Sequence, residues 1–364
     1  MPKLKTRSFM PKRIFLEMHN LKNPFTGFGQ FNLHLLRGLQ ACNDPDLKFV
    51  VHAQDLKPLK EEFGDFFDYK YYMGLRRYDW AQIRKKYDLW HSVNQNTKVE
   101  PKRDLPYVLT IHDVNFIDEI SNDLNHPRNL RFKEKLARAN AITYISEFAK
   151  QSTHQYFDIP KVPEHVILNG NPSGELLDLS NYMPQTDIHG DFLFTLGDFW
   201  ERKNFHLLVE MLTQLPDERL VIAGNDSRTY GDKVRETIKK HGLEDRVILA
   251  GRVDDREKQF LLANCKAFLF ASLREGFGLP PIEAMKFGKP VFLAHRTSLP
   301  EVGGAVAYYW HELEPTAMAE VFQEGMADFN TDPETKSKAF EAQAAKFEWN
   351  TAAAQYIEVY KSLI

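Results

Sequence analysis

The sequence predicts an α/β protein of two domains, each a parallel sheet flanked by helices. Three observations carry this reading. Short apolar, β-rich runs alternate with longer amphipathic stretches from one end of the chain to the other. The length, 364 residues, is long for one domain and natural for two. The alternation breaks once, over 169–191, where Asn, Gly, Pro, Ser and Asp dominate.

In the first half the expected strands are 13–18, 48–53, 88–93, 107–111, 141–145 and 166–168. Several are apolar nearly throughout, as strands covered on both faces by helices must be. Helical patterns fill 30–41, 132–138 and 147–156. The second half repeats the plan, with strands at 192–196, 219–223, 246–249, 267–271 and 290–293 and helices at 204–215 and 231–241. Segment 351–363 reads as a closing helix with Ala354, Ile357, Tyr360 and Leu363 on its core face. The division expected is an N-terminal domain 1–170, a linker 171–191, a C-terminal domain 192–345 and a terminal helix 346–364. Doubly wound sheets bind ligands at the carboxyl ends of their strands, here in a cleft across which the two domains are expected to face each other.

Composition narrows the function. Hydrophobic residues make up 43% and charged residues 27%, enough apolar material for two cores. A formal net charge of −3 lacks the basic field of a nucleic-acid binder. Cys42 and Cys265 are far apart in sequence, which argues against a disulfide framework or a zinc–thiolate site and fits a reducing cytoplasm. The stretch 1–13 carries five basic residues without the apolar run of a signal peptide, and no run has the length of a membrane span. A soluble protein, or one resting on a membrane surface, is expected.

Residues 267–304 carry most of the chemistry. They read as a strand, a loop with Glu275, Gly276 and Gly278, and a helix opened by Pro280 and Pro281. Proline suits a first helical turn because its missing N–H had no intrahelical partner there. Glycine lets backbone approach a ligand closely. The amides and dipole of a helix start favour an anion by about 0.3–1 kcal/mol. Glu275 precedes that site and Glu283 follows it. Carboxylates on both sides suit a phosphate carrying polyols on both sides, since they accept hydrogen bonds from sugar hydroxyls.

The run Glu275-Gly-Phe-Gly-Leu-Pro-Pro-Ile-Glu283, continued by Ala284-Met285, Gly288-Lys289-Pro290-Val291 and Ser298-Leu299-Pro300-Glu301-Val302, resembles the retaining GT-B glycosyltransferases of family 4, the glycosyl transferases group 1. The resemblance implies that Glu275 meets the donor-sugar hydroxyls as a catalytic residue and that Glu283 binds the nucleotide ribose. Leu196-Gly197-Asp198-Phe199-Trp200-Glu201-Arg202-Lys203-Asn204 is similar to the family's strand–loop–helix that grips the donor diphosphate, which assigns Arg202 and Lys203 to it. Gly276, Phe277, Gly278 and Leu279 would complete that anion site. Thr110-Ile111-His112-Asp113 resembles the N-domain strand end whose His faces the reacting sugar, which makes His112 the second catalytic candidate. Gly27-Phe28-Gly29-Gln30-Phe31 resembles the first domain's glycine loop, which implies that Gly29 approaches the diphosphate. Tyr144-Ile145-Ser146-Glu147-Phe148 and Leu168-Asn169-Gly170 match the segments before the linker, so the likeness covers most of the chain. Two departures stand out: Asp198 where many relatives have Arg, and Thr26 where a second consecutive Gly is frequent.

On this resemblance the expected fold is GT-B, with the C-terminal helix crossing back to the N-domain. The expected reaction moves a sugar from a nucleoside-diphosphate sugar to a glycan or lipid-linked glycan hydroxyl, without a metal or other cofactor. Relatives with the RKN and GFGLPPIEAM wording often use GDP-mannose, and the acceptors implied are cell-envelope or capsular glycans. Alternatives are a GT-B nucleotide-sugar epimerase or sugar phosphorylase, and a non-catalytic nucleotide-sugar-binding protein.

Each signal has a plainer reading. The two glutamates could be solvated acids; Arg202 and Lys203 could be turn charges; His112 could be satisfied by a neighbouring backbone group. A glycosidase pair would require carboxylates flanking one bond at a defined separation, which sequence spacing does not establish. A dinucleotide site is disfavoured because eight residues separate Met18 from Gly27 and Asn32 occupies the third glycine position. Segment 66–90 interleaves aromatics with Arg and Lys. The favoured reading is an amphipathic helix with snorkelling cations, and the alternative is a patch for acceptor or membrane surface.

Overall fold

A computed structural model describes residues 10–364 apart from Phe25 and Glu175. The first nine residues, with Lys3, Lys5 and Arg7 of the basic stretch, lie outside the described residues. The chain forms two compact units: Met1–Gly170 with Glu348–Ile364, and Asn171–Phe347.

Unit 1 begins with β1 (Lys12–Glu17), α1 (Gly27–Cys42), β2 (Leu47–Ala53), α2 (Lys57–Phe63), β3 (Asp68–Tyr71), β4 (Leu89–Ser92) and β5 (Tyr107–Ile111). There follow α3 (Phe116–Glu119), α4 (Pro127–Arg138), β6 (Ala141–Tyr144), α5 (Glu147–Tyr156) and β7 (Glu164–Val166). The strands pair in parallel in the order β3-β2-β1-β4-β5-β6-β7. β4 and β5 are wholly buried, as strands covered on both faces are.

Unit 2 contains β8 (Leu193–Leu196), α6 (Phe205–Met211), β9 (Leu220–Ala223), α7 (Thr229–His241), β10 (Val247–Gly251), α8 (Asp255–Asn264) and β11 (Ala267–Phe270). It continues with α9 (Leu279–Lys286), β12 (Val291–Ala294), α10 (Leu299–Gly303), β13 (Tyr308–Trp310), α11 (Pro315–Phe329) and α12 (Pro333–Ala344). Its sheet is also parallel, ordered β10-β9-β8-β11-β12-β13. Leu193, Leu208, Ile222, Leu269, Phe292 and Trp310 meet in its core. Each sheet therefore has the doubly wound order, reversing direction beside its first strand: between β1 and β4, and between β8 and β11.

The last helix, α13 (Trp349–Lys361), belongs to unit 1 and packs along α1. Gly38 makes this possible: a Cβ there would stand 2.6 Å from the Trp349 carbonyl oxygen. Beneath the sheet, Tyr360 Oη lies 2.8 Å from His91 Nδ1, and His91 Nε2 lies 2.7 Å from Thr110 Oγ1.

Two expectations are corrected. Segment 66–90 is not an amphipathic helix: it holds β3 and two 3-10 turns, Gly74–Arg77 and Asp79–Ala81. The segment expected as a linker, 171–191, is part of unit 2, which begins at Asn171. In unit 2 the Leu177 amide donates to Gln259 Oε1 at 2.9 Å, while the Gln185 amide and the Tyr182 hydroxyl both donate to Glu257. Sequence composition marks such a stretch as irregular but cannot reveal that a carboxylate on α8 collects its donors.

Candidate active site

The reversal point of unit 2 brings two loops together at the carboxyl ends of β8 and β11. The first, 197–204, carries Arg202 and Lys203; the second, 271–278, carries Glu275. They are bound to each other through backbone. The Leu273 amide donates to the Arg202 carbonyl at 2.7 Å, and the Asn204 side-chain amide donates to the Ala271 carbonyl at 3.2 Å. Asn204 takes a left-handed conformation, φ +54°, which lets the 3-10 turn Glu201–Lys203 end and α6 begin at once.

Glu275 Oε1 accepts three bonds: from Lys203 Nζ at 2.6 Å, Ser272 Oγ at 2.6 Å and Arg202 Nη1 at 2.9 Å. Burial alone would raise its pKa, but Lys203 and Arg202 outweigh that and hold it down at about 2. Lys203 is just 7% exposed, and its ammonium stands 4.5 Å from the centroid of Phe270. Burial draws the Lys203 pKa below the ordinary lysine value, against the opposing pull of Glu275. A buried lysine and a partly exposed arginine thus share one carboxylate. These two cationic groups at the junction of the loops are what an incoming anion would meet.

The strand-to-helix turn after Glu275 is shaped by Ser298. Its hydroxyl donates to the Phe277 carbonyl at 2.6 Å and to the Glu275 carbonyl at 3.0 Å. In a trans peptide the N–H points opposite to the C=O, so the Gly278 amide is turned away from Ser298. Gly278 has φ +120°, a conformation reserved in practice for glycine. Leu279 opens α9, and because Pro280 and Pro281 have no N–H, the helix start offers its amides from Gly278 and Leu279. Thr297 Oγ1 accepts from the Glu275 amide at 3.1 Å, and Thr297 sits at φ +51°. A β-branched residue there is strained, a feature that concentrates at functional loops.

Glu283, on α9, is 4% exposed. Its Oε1 accepts from Lys258 Nζ at 2.7 Å and from Ser173 Oγ at 2.9 Å. Lys258 and Ser173 were not foreseen from the sequence. Lys258 lies on α8, whose start could have been read from Asp254, which caps the Glu257 amide at 2.8 Å. Ser272 and Thr297 had no local signal beyond their nearness to quoted motifs.

His112 and Gly29 belong to unit 1. His112 follows β5 directly and is 5% exposed; its Nε2 lies 2.9 Å from the Val93 carbonyl oxygen, so the nitrogen donates and the ring is anchored. Burial lowers its pKa to about 4, leaving it neutral at pH 7. Phe28 and Phe31 of α1 meet its ring at centroid distances of 4.8 and 4.5 Å. The structure therefore gathers His112 and the glycine loop at one place. Gly29 is required by space, since a Cβ would fall 2.1 Å from the Asn23 carbonyl oxygen. Its amide, though, donates to Thr26 Oγ1 at 3.2 Å. Thr26, one of the two departures from the family pattern, thus caps α1 through the amide assigned to phosphate.

Residues 185–347 match the family model described as glycosyl transferases group 1, and residues 26–171 match that of Glycosyltransferase Family 4. The chain belongs to this glycosyltransferase family. It is 30% identical over 250 residues to the serotype-specific mannosyltransferase WbdA of Escherichia coli, an alignment covering 64% of this chain and 30% of that protein. The chain spans about a third of the length of the WbdA relatives it matches. It is 25% identical to the O-antigen chain mannosyltransferase B of E. coli, over 96% of this chain and 100% of that one. Among solved structures, a sucrose-phosphate synthase from Thermosynechococcus elongatus superposes with a TM-score of 0.71 at 18% identity, covering 97% of this chain and 99% of that one. The Anabaena protein HepE, in complex with UDP and glucose, gives 0.70 at 18%, covering 97% and 100%. The fold is GT-B in type. No described helix is long and apolar enough to cross a membrane.

Proposed function

We propose that this chain transfers a glycosyl group, mannose in the first instance, from a nucleoside-diphosphate sugar to a glycan hydroxyl in cell-envelope polysaccharide synthesis, with retention of configuration. The observation that carries the reading is the hydrogen-bonded trio Arg202, Lys203 and Glu275 at the reversal point of the second sheet. As the anomeric C–O bond breaks, negative charge grows on the departing diphosphate. The two cations and the amides of Gly278 and Leu279 are fixed in advance where that charge would be stabilised. Glu275, ionised at any physiological pH, would turn from the cations to the donor hydroxyls, and Glu283 would hold the ribose. His112, neutral and anchored, would serve as a hydrogen-bonding group toward the sugar and not as a proton donor. Relatives named as mannosyltransferases, two of them as O-antigen chain mannosyltransferases, support the sugar and the acceptor class. The solved neighbour with UDP and glucose supports a nucleotide-linked donor.

The test is thermal unfolding with a panel of nucleoside diphosphates, followed by transfer assays with the matching sugar nucleotides. A ligand at 100 times its dissociation constant adds about 2.7 kcal/mol of stability. Lys203→Ala should abolish the shift. Glu275→Gln should bind the diphosphate at least as tightly, because the cations lose their internal competitor, while transfer falls by about a hundredfold or more. No shift with any nucleotide, or full transfer by Glu275→Gln, would overturn the proposal.

A further inference from the structure

Between β3 and β4 the chain makes an excursion that the proposed reaction does not use. Five large hydrophobic side chains lie exposed within ten residues: Tyr71 at 57%, Met73 at 44%, Leu75 at 51%, Tyr78 at 46% and Trp80 at 70%. Tyr71 ends β3, and two successive 3-10 turns with their flanking residues present the other four, with the Arg76 amide donating to the Met73 carbonyl and the Tyr78 amide to the Leu75 carbonyl. Residues 70–86 also hold six Lys or Arg against one acid, Asp79, in a chain whose formal net charge is −3.

The cations are close together and unneutralised. Burial, with the charges of Arg76 and Lys85 added to it, holds Lys70 below the ordinary lysine pKa. Arg77 lies over the Tyr78 ring at 4.8 Å and donates to its hydroxyl at 2.8 Å. Arg84, Lys85 and Lys86 are exposed. Among the described residues none of Arg77, Arg84, Lys85 and Lys86 pairs with a carboxylate. Exposed apolar area of this density is costly in water and marks a contact surface. A sugar-binding platform would use the rings without a surplus of cations; a bilayer interface uses both, aromatic and aliphatic tips in the headgroup layer and Lys or Arg against anionic lipid.

We infer that the excursion 70–86 docks the protein onto anionic membrane surface, with Leu75, Tyr78 and Trp80 inserting and Arg77, Arg84, Lys85 and Lys86 meeting lipid phosphates. This surface is independent of the proposed transfer reaction and stands or falls separately from it.

The experiment is co-sedimentation of the full chain with phosphatidylcholine vesicles, with and without phosphatidylglycerol, at low and high salt. Partitioning onto the anionic vesicles should exceed that onto neutral ones by about tenfold or more and fall with salt. Arg77→Glu/Lys85→Glu/Lys86→Glu should remove the preference. Leu75→Ser/Trp80→Ser should reduce binding several-fold while leaving the charge unchanged. Both variants alter exposed side chains and should melt with the parent, which separates lost docking from lost folding. Absence of vesicle binding by the parent, equal binding by either variant, or retention on a soluble polysaccharide in place of vesicles would overturn the inference.

Discussion

Glu283 and Lys258 come from neighbouring helices, α9 and α8, and meet at 2.7 Å with side chains 5% and 16% exposed. Burial would draw the lysine pKa down, yet Glu283 and Asp255 more than offset this and leave it above the ordinary value. The ammonium is therefore charged across the physiological range; without it Glu283 would be a buried, uncompensated ion, whereas Lys258 without Glu283 would keep only the exposed Asp255, 3.2 Å away. Removing one member of such a pair costs about 3–5 kcal/mol, whereas removing both costs far less. Lys258→Met should accordingly destabilise unit 2 by about that amount, and Lys258→Met/Glu283→Gln should recover more than half of it. Urea unfolding of the single and double variants measures the coupling; simple additivity would show that the pair is not energetically joined. Nucleotide affinity of the same proteins then reports whether Glu283 needs Lys258 to be held in place.

At the scale of elements, the packing of α13 on α1 depends on one missing side chain. A Cβ at Gly38 would stand 2.6 Å from the Trp349 carbonyl oxygen and 2.8 Å from the Ala353 Cβ. Backbone cannot yield as a side-chain tip can. Gly38→Ala gains about 1 kcal/mol of helix propensity but should lose about 1–3 kcal/mol by overpacking, so the midpoint of thermal denaturation should fall. Ala353→Gly in the same protein should restore part of the loss. A midpoint at or above the parent's would mean that the two helices do not approach this closely. The same scale shows what the sequence made legible. Strands β1, β2, β4, β5 and β8 are buried on both faces, and their apolar runs were readable within a residue or two. No run in the sequence marks the edge strands β3 and β13, and the run at 166–168 lies two residues beyond β7, Glu164–Val166. Each is half-exposed, so no continuous apolar run announces it. Helices α11 and α12 carry a subtler signal, Glu314-Pro315 and Asp332-Pro333, each a capping acid followed by an N1 proline. Within the site, Glu275, Arg202 and Lys203 were legible because a motif carries them. Lys258 and Ser173 were not, because their partner Glu283 is 25 residues away from one and 110 from the other, and only the fold joins them.

For the molecule as a whole, acid should act unequally on the two units. His91 and His112 are both buried in unit 1 and depressed, to about 3 and about 4, chiefly by burial. An unfolded histidine titrates near 6.5. Below that pH the unfolded chain binds protons that the folded chain refuses, so stability falls as pH drops, by about 1.4 kcal/mol per pH unit for each residue. His112 ceases to contribute below about 4 and His91 below about 3. Glu275 in unit 2 behaves differently. Its folded pKa of about 2 lies beneath the unfolded value of 4.5, so its stabilisation is intact above pH 4.5 and is lost only as pH falls toward 2. In unit 2 His206 is also lowered, but it is only half-buried and contributes less. Between pH 6.5 and 4.5 the loss should therefore fall mainly on unit 1. Hydrogen exchange at pH 5, corrected for intrinsic rates and compared with pH 7.5, should show protection lost at β4 and β5 while β8 and β11 keep theirs. His112→Asn should weaken the pH dependence in unit 1, since one of the two titrating groups is gone. Equal loss in both sheets, or an unchanged slope in that variant, would show that the buried histidines do not govern the acid limit.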